Sequence, residues 1–320
     1  MPGLAARNSR GLESIDPHVT APRQILAGQT YLVTRRCTQR QFLLRPDETT
    51  TRIFLYCLGE AAARLGIELL AWHASSNHYH AVVHDPAGEL PLFLARFHKL
   101  CAKALNARWK RWENLWASEP TCAVRLVEEV DVLDKIAYTL ANPVTDGLVE
   151  RVFDWPGASS LRHTGASRPL VVERPKGFFR DAGPMPETVT LAVRTPRTCS
   201  DARAWAERVR AAVQGRERRA RELRLEAGTG VVGRKNILRA AAHERPKTRE
   251  PRRELRPHLG CLSRERLVRE RAALRQFRAD YAEARRRLLA GVRGVLFPVG
   301  TFLLPRTVGV RVAHGAASPS

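Results

Sequence analysis

The chain has 320 residues, of which 44% are hydrophobic and 27% are charged, and this composition excludes a wholly disordered polypeptide. The formal net charge of +22 indicates a polyanionic partner, and nucleic acid is the first candidate. The six cysteines include no Cys-x-x-Cys pair, which argues against a zinc ribbon or a disulfide framework. No leader-like or membrane-spanning apolar run occurs, so we expect a soluble, cytoplasmic protein with no membrane partner.

The charge is distributed unevenly along the chain. Residues 1–160 contain 18 lysines and arginines against 17 acidic residues, whereas residues 201–293 contain 27 against 12. Prolines and glycines cluster between these two segments, as they do in linkers. The sequence therefore predicts a disordered arm over 1–24, a mixed α/β domain over 25–162, a linker over 163–200 and a basic helical extension over 201–320.

Hydrophobic periodicity predicts the elements of the first domain. The predicted strands cover residues 30–37, 67–74, 79–84 and 123–127. The predicted helices cover residues 51–65 and 90–108, and a third helix begins at Asp131 and stops before Pro143. The order β-α-β-β-α-β-α predicts an α+β fold, a ferredoxin-like (RRM-like) antiparallel sheet with helices, followed by a mainly helical, arginine-rich extension.

A His-x-His pair stands at the start of the third predicted strand, with His78 directly before it. Side chains alternate along a strand, so His78 and His80 project from one face and Tyr79 from the other, and two adjacent imidazoles can share one metal ion. Such a pair is often accidental on spacing alone. His84 and Asp85 lie at the end of the same strand, where solvated polar residues are ordinary. The remaining nearby histidines, His73 and His98, do not have the spacing of a helical zinc motif.

The last predicted helix carries Tyr138 and Asn142. These residues are four apart and therefore lie on the same helix face, where they can address one site together. A tyrosine on an amphipathic helix more often serves packing, so the spacing alone leaves both interpretations open.

Three motifs in order, YLVTRRC, AWHASSNHYHAVVHD and LVEEVDVLDKIAYTLANPVTDGLVE, resemble the single-tyrosine HUH transposases, in particular the REP-associated tyrosine transposases and small insertion-sequence transposases. The resemblance covers about residues 25–162 and ends at FDWPGASSL. It implies that His78 and His80 hold a divalent metal, Mg²⁺ or Mn²⁺, and that Asn142 completes the metal shell. It implies that Tyr138 is the catalytic nucleophile, and it matches Arg36 to an arginine facing the substrate.

The implied activity is the cleavage and rejoining of single-stranded DNA through a 5'-phosphotyrosine intermediate. The implied partners are single-stranded or hairpin DNA and, as in some relatives, a second copy of the chain, with a nucleoid-associated location. The alternative is a domesticated DNA- or RNA-binding protein that keeps the fold without cleaving. An HUH replication initiator or relaxase is less favoured, since no second tyrosine adjoins Tyr138.

The chain departs from the family pattern at several positions. Ser75 and Ser76 replace a Met-Pro pair, Thr145 and Asp146 replace basic residues, and Glu119 stands where relatives carry a basic residue. Trp116 is retained and is predicted to contact DNA. Arg35 stands where an apolar residue is expected, and the sequence gives no reason for it.

The basic extension contains two predicted helices, over 201–226 and 262–290. The second has an apolar seam, formed by Leu267, Leu274, Phe277, Tyr281, Ala284 and Leu288. Its other faces carry arginines, of which Arg275 and Arg278 are predicted to bind DNA phosphates without sequence preference. The segments 214–222 and 244–256 are predicted to be exposed linkers.

Overall fold

The computed structural model describes residues 22–166, 168–248 and 257–313. These residues form two compact units, one over 28–262 and a smaller one that combines 22–27 with 263–313. Most of the predicted N-terminal arm, residues 1–21, lies outside the described part of the chain. Within that part, no helix has both the length and the apolar character needed to cross a membrane.

The secondary structure follows an α+β pattern. The strands are β1 (Gln29–Arg36), β2 (Glu68–Ala74), β3 (His78–Asp85), β4 (Cys122–Leu126), β5 (Leu170–Glu173), β6 (Thr188–Leu191), β7 (Leu259–Gly260), β8 (Leu296–Phe297) and β9 (Arg311–Val312). The helices are α1 (Glu48–Leu65), α2 (Leu90–Arg108), α3 (Glu129–Thr145), α4 (Ala202–Glu226), α5 (Arg234–Arg239), α6 (Arg264–Leu289) and α7 (Leu303–Thr307). The predicted mixture of an antiparallel sheet with helices is confirmed.

The main sheet has the strand order β2-β3-β1-β4-β7. The first four strands pair antiparallel, and the short β7 pairs parallel to β4. The register of β1 and β3 places Thr34 opposite His80 and Arg36 opposite His78. The His-x-His segment therefore lies on a central strand, with hydrogen-bonded neighbours on both sides.

The two faces of the sheet are covered by different helices. On one face, Tyr79 contacts Phe54 of α1 and Phe97 of α2, with ring centroids 5.7 and 5.2 Å apart. On the other face, Val82 belongs to the core that contains Leu140 of α3. Burial of apolar surface on both faces is the dominant favourable contribution to folding, and it fixes which side chains of β3 face each helix.

Helix α3 extends further than predicted. It continues through Pro143 to Thr145, although proline lacks an N–H and the preceding residue is disfavoured in a helix. The proline lies in the last turn, so only the Thr139 carbonyl loses its intrahelical partner. Pro143 and Val144 are both buried, and this packing outweighs the local preference.

The segment 163–200, predicted as a linker, contains a β-hairpin that packs on α1. Strands β5 and β6 pair antiparallel, and Val172, Val189 and Leu191 are buried in the core under α1. The hairpin approaches α1 closely, because a Cβ atom added to Gly59 of α1 would lie 2.9 Å from Val189 Cγ2. The prolines and glycines of this segment therefore flank a hairpin rather than separate two domains.

Helix α4, predicted as part of a separate extension, packs on α3 within the larger unit. Trp205, Val209 and Val213 of α4 are buried in the core beneath the sheet. The segment 214–222, predicted to be an exposed linker, lies inside α4, and Glu217 accepts a hydrogen bond from the Val152 backbone at 2.7 Å. Of the other predicted linker, 244–256, residues 249–256 lie outside the described part.

The smaller unit is built on α6. The predicted apolar seam is confirmed where Phe277 and Ala284 are buried, and Tyr281 contacts Phe297 of β8 with ring centroids 5.4 Å apart. Strands β8 and β9 pair parallel beside it.

The packing of the hairpin on α1 can be tested by truncating Leu191. Leu191→Ala removes a buried side chain, and we expect it to lower the free energy of unfolding by about 2–5 kcal/mol, measured by urea denaturation. Thr190→Ala, on the exposed side of the same strand, is the control and should change it by less than about 0.5 kcal/mol. Equal stability of the two variants would mean that the segment is a linker after all.

Candidate active site

The two histidines of the His-x-His pair stand side by side on the α3 face of the sheet. Their ring centroids are 4.9 Å apart, and each Nδ1 atom is held by a neighbour. Thr34 Oγ1 lies 2.7 Å from His80 Nδ1, and Asn77 Oδ1 accepts from His78 Nδ1 at 2.8 Å. In His78 this hydrogen bond places the proton on Nδ1, so its Nε2 carries the lone pair that a metal ion would use.

The environment keeps His80 in the form that binds metals. Burial lowers the pKa of His80 well below its usual value, and the neighbouring His78 and His73 lower it further. The ring is therefore neutral at physiological pH. A neutral imidazole is the state that coordinates a divalent cation.

Tyr138 lies against His80 in the same chain. The two ring centroids are 5.1 Å apart in an edge-to-face arrangement, and Tyr138 is half-buried. Lys135 Nζ and Arg216 Cζ each lie 5.9 Å from the centroid of the Tyr138 ring. The phenol thus has an imidazole and two cationic groups around it, and one of those groups comes from α4.

Asn142 is positioned by a short chain of hydrogen bonds. Ser75 Oγ donates to Asn142 Oδ1 at 2.7 Å, so the hydroxyl in turn accepts from His73 Nε2 at 3.0 Å. The Asn142 amide nitrogen donates to Asp146 at 3.4 Å. A carbonyl oxygen has two lone pairs, so Asn142 Oδ1 retains one for a metal ion.

His73 is a site residue that the sequence did not identify. It pairs directly with His80 across β2 and β3, and burial lowers its pKa to about 3. Its Nδ1 atom is buried without a hydrogen-bond partner among the described residues. The sequence does place His73 on the strand before the His-x-His strand. Only the register between the two strands, however, shows that His73 lies beside His80.

The donor set suits a divalent cation. Two imidazoles and one amide oxygen offer three ligands without a carboxylate or thiolate, which leaves other positions for water and phosphate oxygens. Nitrogen donors favour Mn²⁺ over Mg²⁺ in this set. Among the described residues, Glu128, Asp131 and Cys261 also bring potential ligand atoms within 4.8 Å of one another. There, however, Asp131 already accepts from the backbone N–H groups of Glu128 and Leu262.

The polar residues at the end of β3 have structural partners. Asp85 accepts from the backbone N–H groups of Gly88, Glu89 and Leu90, so it caps the start of α2. His84 Nδ1 lies 3.1 Å from Thr30 Oγ1. Both residues therefore have local hydrogen-bond partners, and Asp85 is buried, not solvated as the sequence predicted for the end of a strand.

Arg35, unexplained by the sequence, belongs to a polar network on the α2 face. It donates to His98 Nδ1 at 2.8 Å, which places the His98 proton on Nε2, and Nε2 then donates to the Tyr79 hydroxyl at 2.6 Å. Burial is the main cause that lowers the pKa of His98 well below its usual value, and nearby Arg35 adds to it. Arg35 therefore satisfies polar groups in the core on the side of the sheet opposite the His-x-His pair.

The predicted DNA contacts lie in different environments. Arg36 is half-buried and stands directly opposite His78. Trp116 is only 7% exposed, and its indole N–H donates to the His98 carbonyl at 3.0 Å on the α2 face, so its position does not favour base stacking. Trp112, in contrast, is fully exposed, as a ring that stacks on a base must be. Arg275 of α6 is exposed.

Arg278 of α6 is turned partly inward. Its Nε and Nη2 atoms are buried without a hydrogen-bond partner among the described residues. Arg275 is therefore the better placed of the two predicted phosphate contacts.

Comparisons with known proteins give a distant structural likeness. The structure of a REP-associated tyrosine transposase bound to a REP hairpin is similar at 18% identity and a TM-score of 0.40, covering 51% of this chain and 88% of that protein. A protein from Deinococcus radiodurans R1, provisionally described as a transposase, is similar at 18% identity and a TM-score of 0.28, covering 35% of this chain and 88% of that one. No family model and no curated protein matches the chain.

The hydrogen-bond chain to Asn142 can be tested at Ser75. Ser75→Ala leaves the buried His73 N–H and Asn142 oxygen without their partner, and we expect it to lower the free energy of unfolding by about 1–3 kcal/mol. Chemical denaturation measures this loss. The adjacent Ser76→Ala should be nearly silent, because the Ser76 hydroxyl makes no hydrogen bond within the described residues. If both serines tolerate alanine equally, the chain does not hold Asn142.

Proposed function

We propose that this protein is a transposase-like strand transferase that cleaves and rejoins single-stranded DNA through Tyr138. The observation that carries the proposal is the 5.1 Å approach of the Tyr138 and His80 rings on the face where His78 also stands. A nucleophile and a pair of metal-binding imidazoles within reach of one phosphate are the two parts that this reaction needs.

The fold supports the same proposal. The strand order β2-β3-β1-β4, with α1 and α2 as the connections, agrees with a ferredoxin-like arrangement. In this arrangement the His-x-His strand is central and α3 crosses the opposite face from α1 and α2. Residues from two distant parts of the sequence therefore meet on one side of the sheet.

The proposed reaction is an in-line displacement at phosphorus. The Tyr138 hydroxyl loses its proton and its oxygen attacks the phosphate, so a phosphotyrosine bond forms as the bond to the 3'-oxygen breaks. The 3'-oxygen leaves with a proton as a free hydroxyl. Attack of another 3'-hydroxyl on the phosphotyrosine reverses the step and rejoins DNA, and since the number of phosphodiester bonds is conserved, no ATP is required.

A phenol with a usual pKa near 10 needs assistance to attack at neutral pH. We propose that His78, His80 and Asn142 hold one Mg²⁺ or Mn²⁺. The bound cation would neutralise charge on the nonbridging phosphate oxygens. The three side chains would orient that cation, and Tyr138 is half-buried against the His80 ring.

The DNA must be single-stranded at the cut, because a nucleophile on α3 has to approach the backbone in line. Arg36, opposite His78, is placed to contact the strand at the site. A hairpin beside the cut and a phosphate contact by Arg275 of α6 would add affinity. A homodimer and a nucleoid-associated location stay predictions. The contact of Tyr138 with His80 within one chain supports a site that needs no second copy.

The proposal predicts a covalent protein–DNA adduct that depends on Tyr138. Hairpin-bearing single-stranded oligonucleotides of varied flanking sequence, incubated with the wild-type chain and Mn²⁺ or Mg²⁺, should yield an adduct that resists denaturing electrophoresis. Tyr138→Phe lacks only the hydroxyl and should yield none, and His80→Ala should reduce it by at least about 100-fold. Peptide mapping should locate the nucleotide on Tyr138.

Tyr281→Phe, on α6 in the smaller unit, is the matched control and should react as the wild type does. If the wild-type chain retains oligonucleotides across the whole panel but forms no adduct with any of them, the alternative of a non-cleaving DNA- or RNA-binding protein replaces the proposal.

The role of the basic helix can be measured by salt dependence. If Arg275 contacts a phosphate, Arg275→Gln should make the dependence of log K on log salt concentration less steep by about 0.7 for single-stranded DNA. Titrations from low to moderate salt give this slope. Arg203→Gln removes one exposed arginine charge from another helix, α4, and should leave the slope unchanged. Identical slopes for all three proteins would remove Arg275 from the binding surface.

A further inference from the structure

Helix α4 places an arginine beside the proposed nucleophile, and we propose that Arg216 binds the scissile phosphate in the active site. This inference rests on the proposed function. It extends that function by assigning a phosphate-binding residue to a segment that the sequence had placed in a separate basic extension.

The position of α4 is fixed by its apolar side. Trp205, Val209 and Val213 are buried against α3 and the core beneath it. At its C-terminal end, Arg224 donates to the Val144 carbonyl at 3.0 Å, so the helix is held along much of its length. The packing of α4 therefore positions the Arg216 side chain against α3.

Arg216 meets two residues of α3. One of its Nη atoms forms an ion pair with Asp134, and its Cζ lies 5.9 Å from the Tyr138 ring centroid. Asp134 is also bound by Lys135, whose Nζ is 2.9 Å from the carboxylate. Burial raises the pKa of Asp134, but the hydrogen bonds and charges of Lys135 and Arg216 outweigh it, and the net pKa is lowered. Asp134 is thus a fixed anion that holds both cations over the phenol.

The carboxylate of Asp134 does not balance the two positive charges of Lys135 and Arg216 beside Tyr138. Two cations and one carboxylate leave a net positive charge beside the phenol, and this is the field that a phosphodiester would neutralise. The Arg216 side chain is 34% exposed, so solvent and ligand can reach it. Its ion pair uses one of the five N–H donors of a guanidinium, and a planar group of this kind is suited to bidentate contact with phosphate oxygens.

The competing explanation is that the ion pair with Asp134 only fastens α4 to α3. Asp134→Asn and Arg216→Gln both remove that ion pair, but only Arg216→Gln removes the guanidinium. If fastening were the whole role, the two variants would be equally impaired. If Arg216 binds the scissile phosphate, Arg216→Gln should be far slower in the covalent step than Asp134→Asn.

The experiment measures the rate of adduct formation at saturating concentration of an oligonucleotide that reacts with the wild-type chain. We expect Arg216→Gln to lower this rate by about 100-fold, as the loss of one donor to a developing oxyanion does, and Asp134→Asn to lower it by less than about tenfold. Arg216→Lys, which keeps the charge, should recover part of the rate. Arg219→Gln, an exposed position on the same helix, is the matched control and should keep the wild-type rate.

Two results would overturn the inference while leaving the proposed function intact. One is an Arg216→Gln rate within about twofold of the wild-type rate. The other is an equal loss in Arg216→Gln and Asp134→Asn accompanied by equal loss of thermal stability. Failure of the wild-type chain to form any adduct would instead reject the proposed function itself.

Discussion

The alternation of side chains on β3 is the constraint on which the candidate site depends. Because Tyr79 packs into the aromatic core under α1 and α2, His78 and His80 must face α3. Helix α3 is held on that face by its own buried apolar side, and this packing brings Tyr138 to His80. The core on one side of the sheet thus orients the polar residues on the other.

Supporting contacts around these residues give the site its geometry. Thr34 and Asn77 hold the imidazole rings, while the chain from His73 through Ser75 holds Asn142. Ser75, which lies directly after β2, thus supplies a buried hydrogen bond to the proposed metal ligand Asn142.

Local patterns were enough to predict part of this arrangement. The parity of His78 and His80 and the four-residue spacing of Tyr138 and Asn142 follow from strand and helix geometry alone. The role of Arg216 could not be predicted, because it depends on how α4 packs against α3. Charge composition also misplaced the domain boundary, since α4 is rich in arginine but its apolar side completes the core of the larger unit.

The central claim is that a cation held by the histidines and the phenol of Tyr138 act on one phosphate. The most direct test is to locate the cation and the phosphate in the same crystal structure. Crystals of Tyr138→Phe with Mn²⁺ and single-stranded DNA would allow anomalous scattering to identify the metal. The account predicts one Mn²⁺ coordinated by His78 and His80, with a backbone phosphate between it and the ring at position 138. A metal bound only at Glu128, Asp131 and Cys261, or DNA that passes the histidines without a phosphate near them, would contradict it.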